Sequence, residues 1–314
     1  MKKFARITGT GSYLPSRVIT NKDLEQTLDT SDEWITSRTG IKERRIVTDE
    51  STCDLAFEAS KKALEMAGIS ASEIDLIILA TTTPDKIFPA TATMLQDRLG
   101  ASCPAFDLQA VCAGFVFALT TAQQYIENGH FKSILVVGSE TMSKIVDWND
   151  RSTAILFADG AGAVVMSPDN TTGIKHSKLY SDGSHLSSLH VNNNGINKTG
   201  TIEMSGNEVF KIAVNRLSDL AEETLEDCNM TAENIDWMVP HQANIRIIKA
   251  VAKRINLPMT KVIQTLDRHG NTSAASIPLA LDVGVRDGRI KKGDTLLFEG
   301  IGGGFSWGSV LVEY

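Results

Sequence analysis

Positive charge, paired cysteines and long apolar runs are what this chain lacks, and each absence removes a class of function. Against 38 Asp and Glu there are 31 Lys and Arg, a net charge of -7, which argues against nonspecific nucleic-acid binding as a main role while leaving room for a local basic patch. The four cysteines, Cys53, Cys103, Cys112 and Cys228, form no Cys-x-x-Cys pair, so neither a zinc ribbon nor a redox dithiol is indicated and no metal is expected. Polar Thr8 and Thr10 interrupt the segment after Lys2 and Lys3 where a secretory signal would need its apolar stretch. Free thiols in a cytoplasmic protein are therefore the expectation, with Cys53, Cys103 and Cys228 as packed side chains. No apolar run approaches the roughly 20 residues that span a bilayer. Low-complexity tracts are also missing.

What remains is an ordinary globular composition, 42% hydrophobic and 22% charged over 314 residues, long enough for about two domains or one duplicated domain. The sequence favours duplication. Ser70-Ala-Ser-Glu-Ile-Asp-Leu resembles Thr231-Ala-Glu-Asn-Ile-Asp-Trp at an offset of 231 - 70 = 161 residues, each preceded by a helical pattern, over 55–66 and 212–225. The same offset relates Ser133-Ile-Leu-Val-Val to Asp294-Thr-Leu-Leu-Phe. Short apolar runs at 76–79, 134–137 and 296–298 alternate with longer helical patterns, so both halves read as α/β layers with buried strands. Turn residues over 167–173 place the boundary, giving halves 1–170 and 171–314. The Asn- and Gly-rich stretch 191–201 reads as a long loop or flap, and Asp159-Gly-Ala-Gly-Ala163 as a structural turn.

Three segments carry chemistry. Cys112, in Ala110-Val-Cys-Ala-Gly-Phe115, precedes a helical pattern that ends at Asn128-Gly129. A cysteine there meets unpaired N–H groups and the positive end of a helix dipole, which favour the nucleophilic thiolate. His241 follows the apolar run 235–239 and Pro240, at the carboxyl end of a strand, where open α/β sheets place ligand chemistry. Asn271 lies in a Gly-rich turn before another helix. The other histidines, His130, His176, His185, His190 and His269, read as structural. Gly300-Ile-Gly-Gly-Gly-Phe305 lacks the last glycine of a dinucleotide loop and runs into a strand, so it reads as a turn offering an N–H to an oxyanion.

These segments, with Asp29-Thr-Ser-Asp-Glu-Trp34, Arg38-Thr-Gly-Ile41, Asp150-Arg-Ser-Thr153 and Gly206-Asn-Glu-Val-Phe210, closely resemble bacterial β-ketoacyl-acyl-carrier-protein synthase III of the thiolase superfamily. The similarity covers essentially the whole chain. It implies a thiolase-like, duplicated five-layered αβαβα fold, an obligate homodimer, and a Cys-His-Asn site at Cys112, His241 and Asn271. Chain-elongating relatives usually carry a second His where Asn271 falls, so the initiating class is implied. The implied reaction is ping-pong and needs no cofactor. Cys112 takes an acyl group from acyl-CoA, acetyl-CoA by the ring at Phe88 in the partner's acyl pocket, and malonyl-carrier protein then decarboxylates and condenses to 3-oxoacyl-carrier protein.

By the same correspondence the N–H groups of Cys112 and Gly303 form the oxyanion hole. The CoA adenine lies between Trp34 and Arg151, Arg38 is near the phosphates, and Thr30, Met204, Gly206, Phe210 and Asn244 line the channel. Gln242, Ala243, Asn244, Ile245 and Arg246 resemble the carrier-docking segment, extended by Lys249, Lys253 and Arg254 about a helical turn apart, a basic face suited to an acidic carrier. Ile301 stands where relatives often carry Phe, which predicts an altered malonyl pocket. Two rivals are a thiolase-fold relative acylating another acceptor in secondary metabolism and a noncatalytic acyl-binding protein. The second would lack the nucleophile or the oxyanion turn, and both are present. A papain-type hydrolase would need a different scaffold.

Overall fold

A computed structural model describes residues 3–193 and 199–314. The first half runs through β1 (Phe4–Tyr13), β2 (Arg17–Thr20), α1 (Asn21–Leu24), α2 (Asp32–Thr39), β3 (Glu43–Ile46), α3 (Thr52–Ala67), β4 (Leu76–Ala80), α4 (Thr91–Leu99), β5 (Ala105–Leu108), α5 (Gly114–Glu127), β6 (Ile134–Thr141), α6 (Arg151–Ala154) and β7 (Asp159–Asp169). The second comprises β8 (Gly173–Ser181), β9 (Leu189–Asn193), β10 (Thr199–Met204), α7 (Gly206–Asp227), β11 (Trp237–Pro240), α8 (Ile245–Arg254), α9 (Leu266–His269), α10 (Ser276–Arg286), β12 (Thr295–Gly302) and β13 (Ser306–Glu313).

Local sequence explains the long helices. Ser51 and Asp54 close a capping box at the start of α3, and Gly68 at φ +70° ends it. The expected stop of α5 is present, with Asn128 as its cap and Gly129 at φ +73°.

The two large sheets follow one plan. The first has strand order β1-β7-β6-β4-β5 and the second β8-β13-β12-β11, with β4 parallel to β6 and β11 parallel to β12, and the remaining neighbours on that side antiparallel. Side-chain alternation makes the layers. On β4, Ile77 and Leu79 face α3 and α4, whereas Leu76 and Ile78 face a central core with α5 and α10. On β12, Leu296 and Phe298 meet that central core from the other side, while Leu297 packs outward with α7 and α8. The result is five layers, αβαβα, as expected.

Three local expectations need correction. Asp159-Gly-Ala-Gly-Ala163 opens β7 instead of forming a turn, because its small residues admit α10: a Cβ on Gly162 would lie 2.7 Å from the Leu279 nitrogen. The apparent loop at 191–201 is largely a hairpin of β9 and β10, whose cross-strand pairs such as Val191 with Ile202 bury an apolar face; residues 194–198 of it lie outside the described residues. At the boundary the turn is shorter than 167–173, since β7 continues to Asp169 and β8 begins at Gly173.

Candidate active site

The turn that carries Cys112 is packed between β12 and residues 273–275. Cys112 sits in a short 3-10 turn ahead of α5, with Val111 at φ +48°, a conformation that a β-branched residue adopts only when its surroundings enforce it. β12 passes directly behind the turn. A Cβ on Gly302 would lie 2.5 Å from the Cys112 nitrogen, and one on Gly300 3.2 Å from its carbonyl oxygen. At Gly302 only glycine permits that approach, and at Gly300 the contact is tight. Residues 273–275 pack on the same turn, and the carbonyl of Glu299 accepts the His241 N–H at 2.7 Å, fixing the end of β11 to β12. Cys112 and Gly303 line one cavity of about 890 Å³, walled also by Thr82, Thr83, Phe157 and Leu189.

The polar groups are oriented individually. Asn271 follows Gly270, which turns at φ +65°, and its Oδ1 accepts the Ser273 N–H at 2.9 Å. The unspent end of the amide is therefore its NH2. His241 is 5% exposed, with Nδ1 2.6 Å from the Ser276 hydroxyl; burial pulls its pKa down to about 4, so the ring is neutral at physiological pH.

The thiol departs from the sequence expectation. Burial pushes Cys112 up to about 12 and the negative charge of Glu140 adds to this, while the nearby Ser273 hydroxyl and a main-chain hydrogen bond at Cys112 itself pull the other way. A turn-and-helix start does face the sulfur, but desolvation outweighs its dipole and the resting thiol is protonated. Glu140 itself is fully buried at the end of β6, on the face directed to the central layer. It is held by Thr83 Oγ1 at 2.6 Å, the Thr82 N–H at 3.0 Å and Thr81 Oγ1 at 3.2 Å. Sequence reasoning passed over Glu140, Ser273 and Ser276. The available signal for Glu140 was a carboxylate closing an otherwise apolar strand.

A strip along α2, α6, β10 and the starts of α7 and α8 carries the expected CoA-binding residues. Arg151 lies over the Trp34 indole at 4.9 Å and Arg38 at 5.7 Å. The Arg151 guanidinium stacks directly on the indole and donates to the Asp29 carbonyl at 2.6 Å, so the slot expected for adenine is filled by the side chain itself. Thr30 has a buried hydroxyl with no partner among the described residues, Met204 ends β10 beside Gly206, Asn244 caps α8, and Phe210 lies beneath Arg246 at 4.9 Å.

The docking segment divides. Gln242 is fully buried and its amide is spent, donating to the Pro240 and Ile263 carbonyls and accepting the Thr265 and Leu266 N–H groups. It cannot meet a carrier, because it ties β11 to the segment before α9. Ala243 and Ile245 are half-buried, Ile245 against Gly40. Arg246, Lys249 and Lys253 are exposed and have no ion-pair partner among the described residues, but Arg254 is engaged by Glu222 at 2.7 and 2.8 Å. Phe88, 83% exposed, points away from its own cavity, whereas Ile87 beside it is in the lining. Ile301 packs in the outer core with Leu297, on the face of β12 opposite the two glycines that meet Cys112. Among the described residues no cluster of His, Cys, Asp or Glu is arranged to hold a metal, and no helix is long and apolar enough to cross a membrane.

Models of the 3-oxoacyl-[acyl-carrier-protein] synthase III family match residues 106–183, and of its C-terminal part residues 225–314. The chain is 70% identical over 314 residues, the full length of both, to a β-ketoacyl-[acyl-carrier-protein] synthase III of Vesicomyosocius okutanii, and 57% identical to one of Neisseria meningitidis, over 99% of this chain and 100% of that one. The crystal structure of the synthase III of Aquifex aeolicus superposes with a TM-score of 0.96 at 47% identity, covering 99% of this chain and 100% of that one. Fold and full-length identity agree: the chain belongs to the β-ketoacyl-acyl-carrier-protein synthase III family, thiolase-fold acyltransferases that perform the initiating condensation of fatty acid synthesis.

Proposed function

We propose that Cys112 carries the acyl group between two half-reactions and that His241 and Asn271 serve the second. In the first, Cys112 sulfur attacks the thioester carbonyl of an acyl-CoA, acetyl-CoA being the starter. The carbon–sulfur bond to CoA breaks and the thiol proton leaves on CoA. The N–H groups of Cys112 and Gly303 stabilise the oxyanion. In the second, malonyl-acyl-carrier protein loses carbon dioxide. The electrons of that bond form an enolate whose oxygen receives hydrogen bonds from His241 and Asn271. Its carbon joins the acyl carbon, the bond to Cys112 sulfur breaks to leave a thiolate that takes up a proton from solvent, and 3-oxoacyl-carrier protein departs.

The observation that carries this reading is the shared cavity of Cys112 and Gly303, closed behind by β12 where Gly302 meets the Cys112 nitrogen too closely for any side chain. The strip from Trp34 to Asn244 is the proposed CoA channel, with Arg151 swinging off the indole to admit the adenine. Arg246, Lys249 and Lys253 are the proposed docking cations. Exposed Ile87 and Phe88 support a homodimer in which Phe88 enters the partner's acyl pocket. The halves 1–170 and 171–314 are read as copies of one α/β unit, supported by their matching strand order. We place the enzyme in the cytoplasm, working without a cofactor.

The test separates the half-reactions. Cys112→Ala should form no acyl-enzyme from labelled acetyl-CoA, while His241→Ala and Asn271→Ala should acylate but lose malonyl decarboxylation by roughly two orders of magnitude. Normal decarboxylation in both of the latter would overturn the assignment.

A further inference from the structure

The Ser276 hydroxyl, at the start of α10, touches two groups. Its oxygen lies 2.6 Å from His241 Nδ1 and accepts the Gln242 main-chain N–H at 3.3 Å. An amide N–H only donates, so one lone pair of the hydroxyl is committed to Gln242. The hydroxyl hydrogen then needs an acceptor, and among the described residues His241 Nδ1 is the only one within reach. The site excludes bulk water around this contact, since Ser276 is 1% and Gln242 0% exposed. If Nδ1 instead carried the proton and donated to Ser276, the hydroxyl hydrogen would be buried with nothing to bond, the costly alternative. Nδ1 is therefore the acceptor. A neutral imidazole has one N–H, which falls on Nε2, a nitrogen with no protein partner among the described residues.

We propose that Ser276 is a positioning residue that locks His241 in the Nε2–H tautomer, so that the ring enters the reaction as a hydrogen-bond donor and not as a proton acceptor. The same stretch of chain sets Asn271. Ser273, held at φ +49°, turns its N–H back onto the Asn271 Oδ1 and leaves the amide NH2 outward. Two side chains that could each have presented a donor or an acceptor are thereby both committed as donors, by residues three positions apart. Such a pair suits an oxygen that gains negative charge, and it suits the removal of a thiol proton poorly. The lock thus assigns His241 to decarboxylation and excludes it as the base for Cys112.

This rests on the proposed division of half-reactions, and its test has an arm independent of them. In the full-length protein labelled with 15N-histidine, long-range proton–nitrogen correlation should show His241 protonated on Nε2, and Ser276→Ala should shift it to a mixture with Nδ1–H. Ser276→Thr, which keeps the hydroxyl, should restore the Nε2–H signature. Kinetically, Ser276→Ala should lower malonyl decarboxylation about tenfold, less than loss of the whole donor, with acyl-Cys112 formation changed less than twofold. A hydrogen on Nδ1 in the unaltered protein overturns the lock outright. So does an unchanged tautomer in Ser276→Ala with both half-reactions slowed alike, which would make the residue merely structural.

Discussion

At the level of single residues, the site works against the ordinary picture of an activated cysteine. Cys112 has the features that lower a thiol pKa, a helical start and polar neighbours, and it also has near-complete burial and a carboxylate whose charge opposes the thiolate. Desolvation is the larger effect, so the resting thiol of the proposed nucleophile is protonated. Alkylation of the resting enzyme by iodoacetamide should accordingly be slow at pH 7 and should still be climbing at pH 10. Glu140→Gln, which removes the negative charge, should move the climb to lower pH. A plateau below pH 8 in the unaltered protein would contradict a thiol held near 12. Cys112, His241 and Asn271 were legible as candidates from a helix start, a strand end and a Gly-rich turn, and the resemblance joined them into one expected site. Their polarity was not, since it depends on Ser273, Ser276 and Glu140, whose contacts are made through the fold.

At the level of elements, α8 illustrates how far periodicity carries. Arg246, Lys249, Lys253 and Arg254 lie on polar positions of an amphipathic helix, and the spacing alone predicts their exposure. What spacing cannot see is the neighbouring helix. Glu222 of α7 takes Arg254 in a two-point ion pair, and Gln242 is held inward by the Ile263 carbonyl and the Thr265 and Leu266 N–H groups of another segment. The expectation is a graded result: Arg246→Ala should raise the KM for malonyl-carrier protein several-fold at low salt, and Arg254→Ala should raise it less. Acylation by acetyl-CoA should be unaffected by either. Steady-state kinetics at two ionic strengths checks this, and an equal effect of the two substitutions would mean that the ion pair opens on docking. The β9–β10 hairpin was misjudged for a related reason, because its Asn and Gly content resembles a loop while its Val191 and Ile202 pairing holds strands together.

For the molecule as a whole, duplication was the most legible property, since a constant offset survives in sequence even where side chains have diverged. A buried charge was the least. Glu299 faces the outer core between Leu297 and Ile301 on β12, with neither carboxyl oxygen bonded among the described residues, and burial pushes it up to about 8. Because the unfolded group titrates near 4.5, the unfolded chain holds fewer protons than the folded one between those values. Stability is fully present below pH 4.5 and falls as pH rises toward 8, by at most a few kcal/mol. Glu299→Gln should flatten that fall. Chemical denaturation at several pH values gives the slope, and an unchanged slope would show that the carboxyl is ionised in the native state.

The central layer has a consequence for folding. Its two helices are shared: α5, from the first half, lies against β12 and β13, and α10, from the second, lies against β1 and β7. Neither sheet can cover its inner face with helices from its own half alone, so a chain cut at the boundary would leave each fragment with an apolar surface shaped for the other. The repeat is thus an ancestry visible in the strands without being a pair of folding units. Heating should melt both sheets in one calorimetric transition, and the two fragments expressed apart should be insoluble yet recover a folded protein when refolded together.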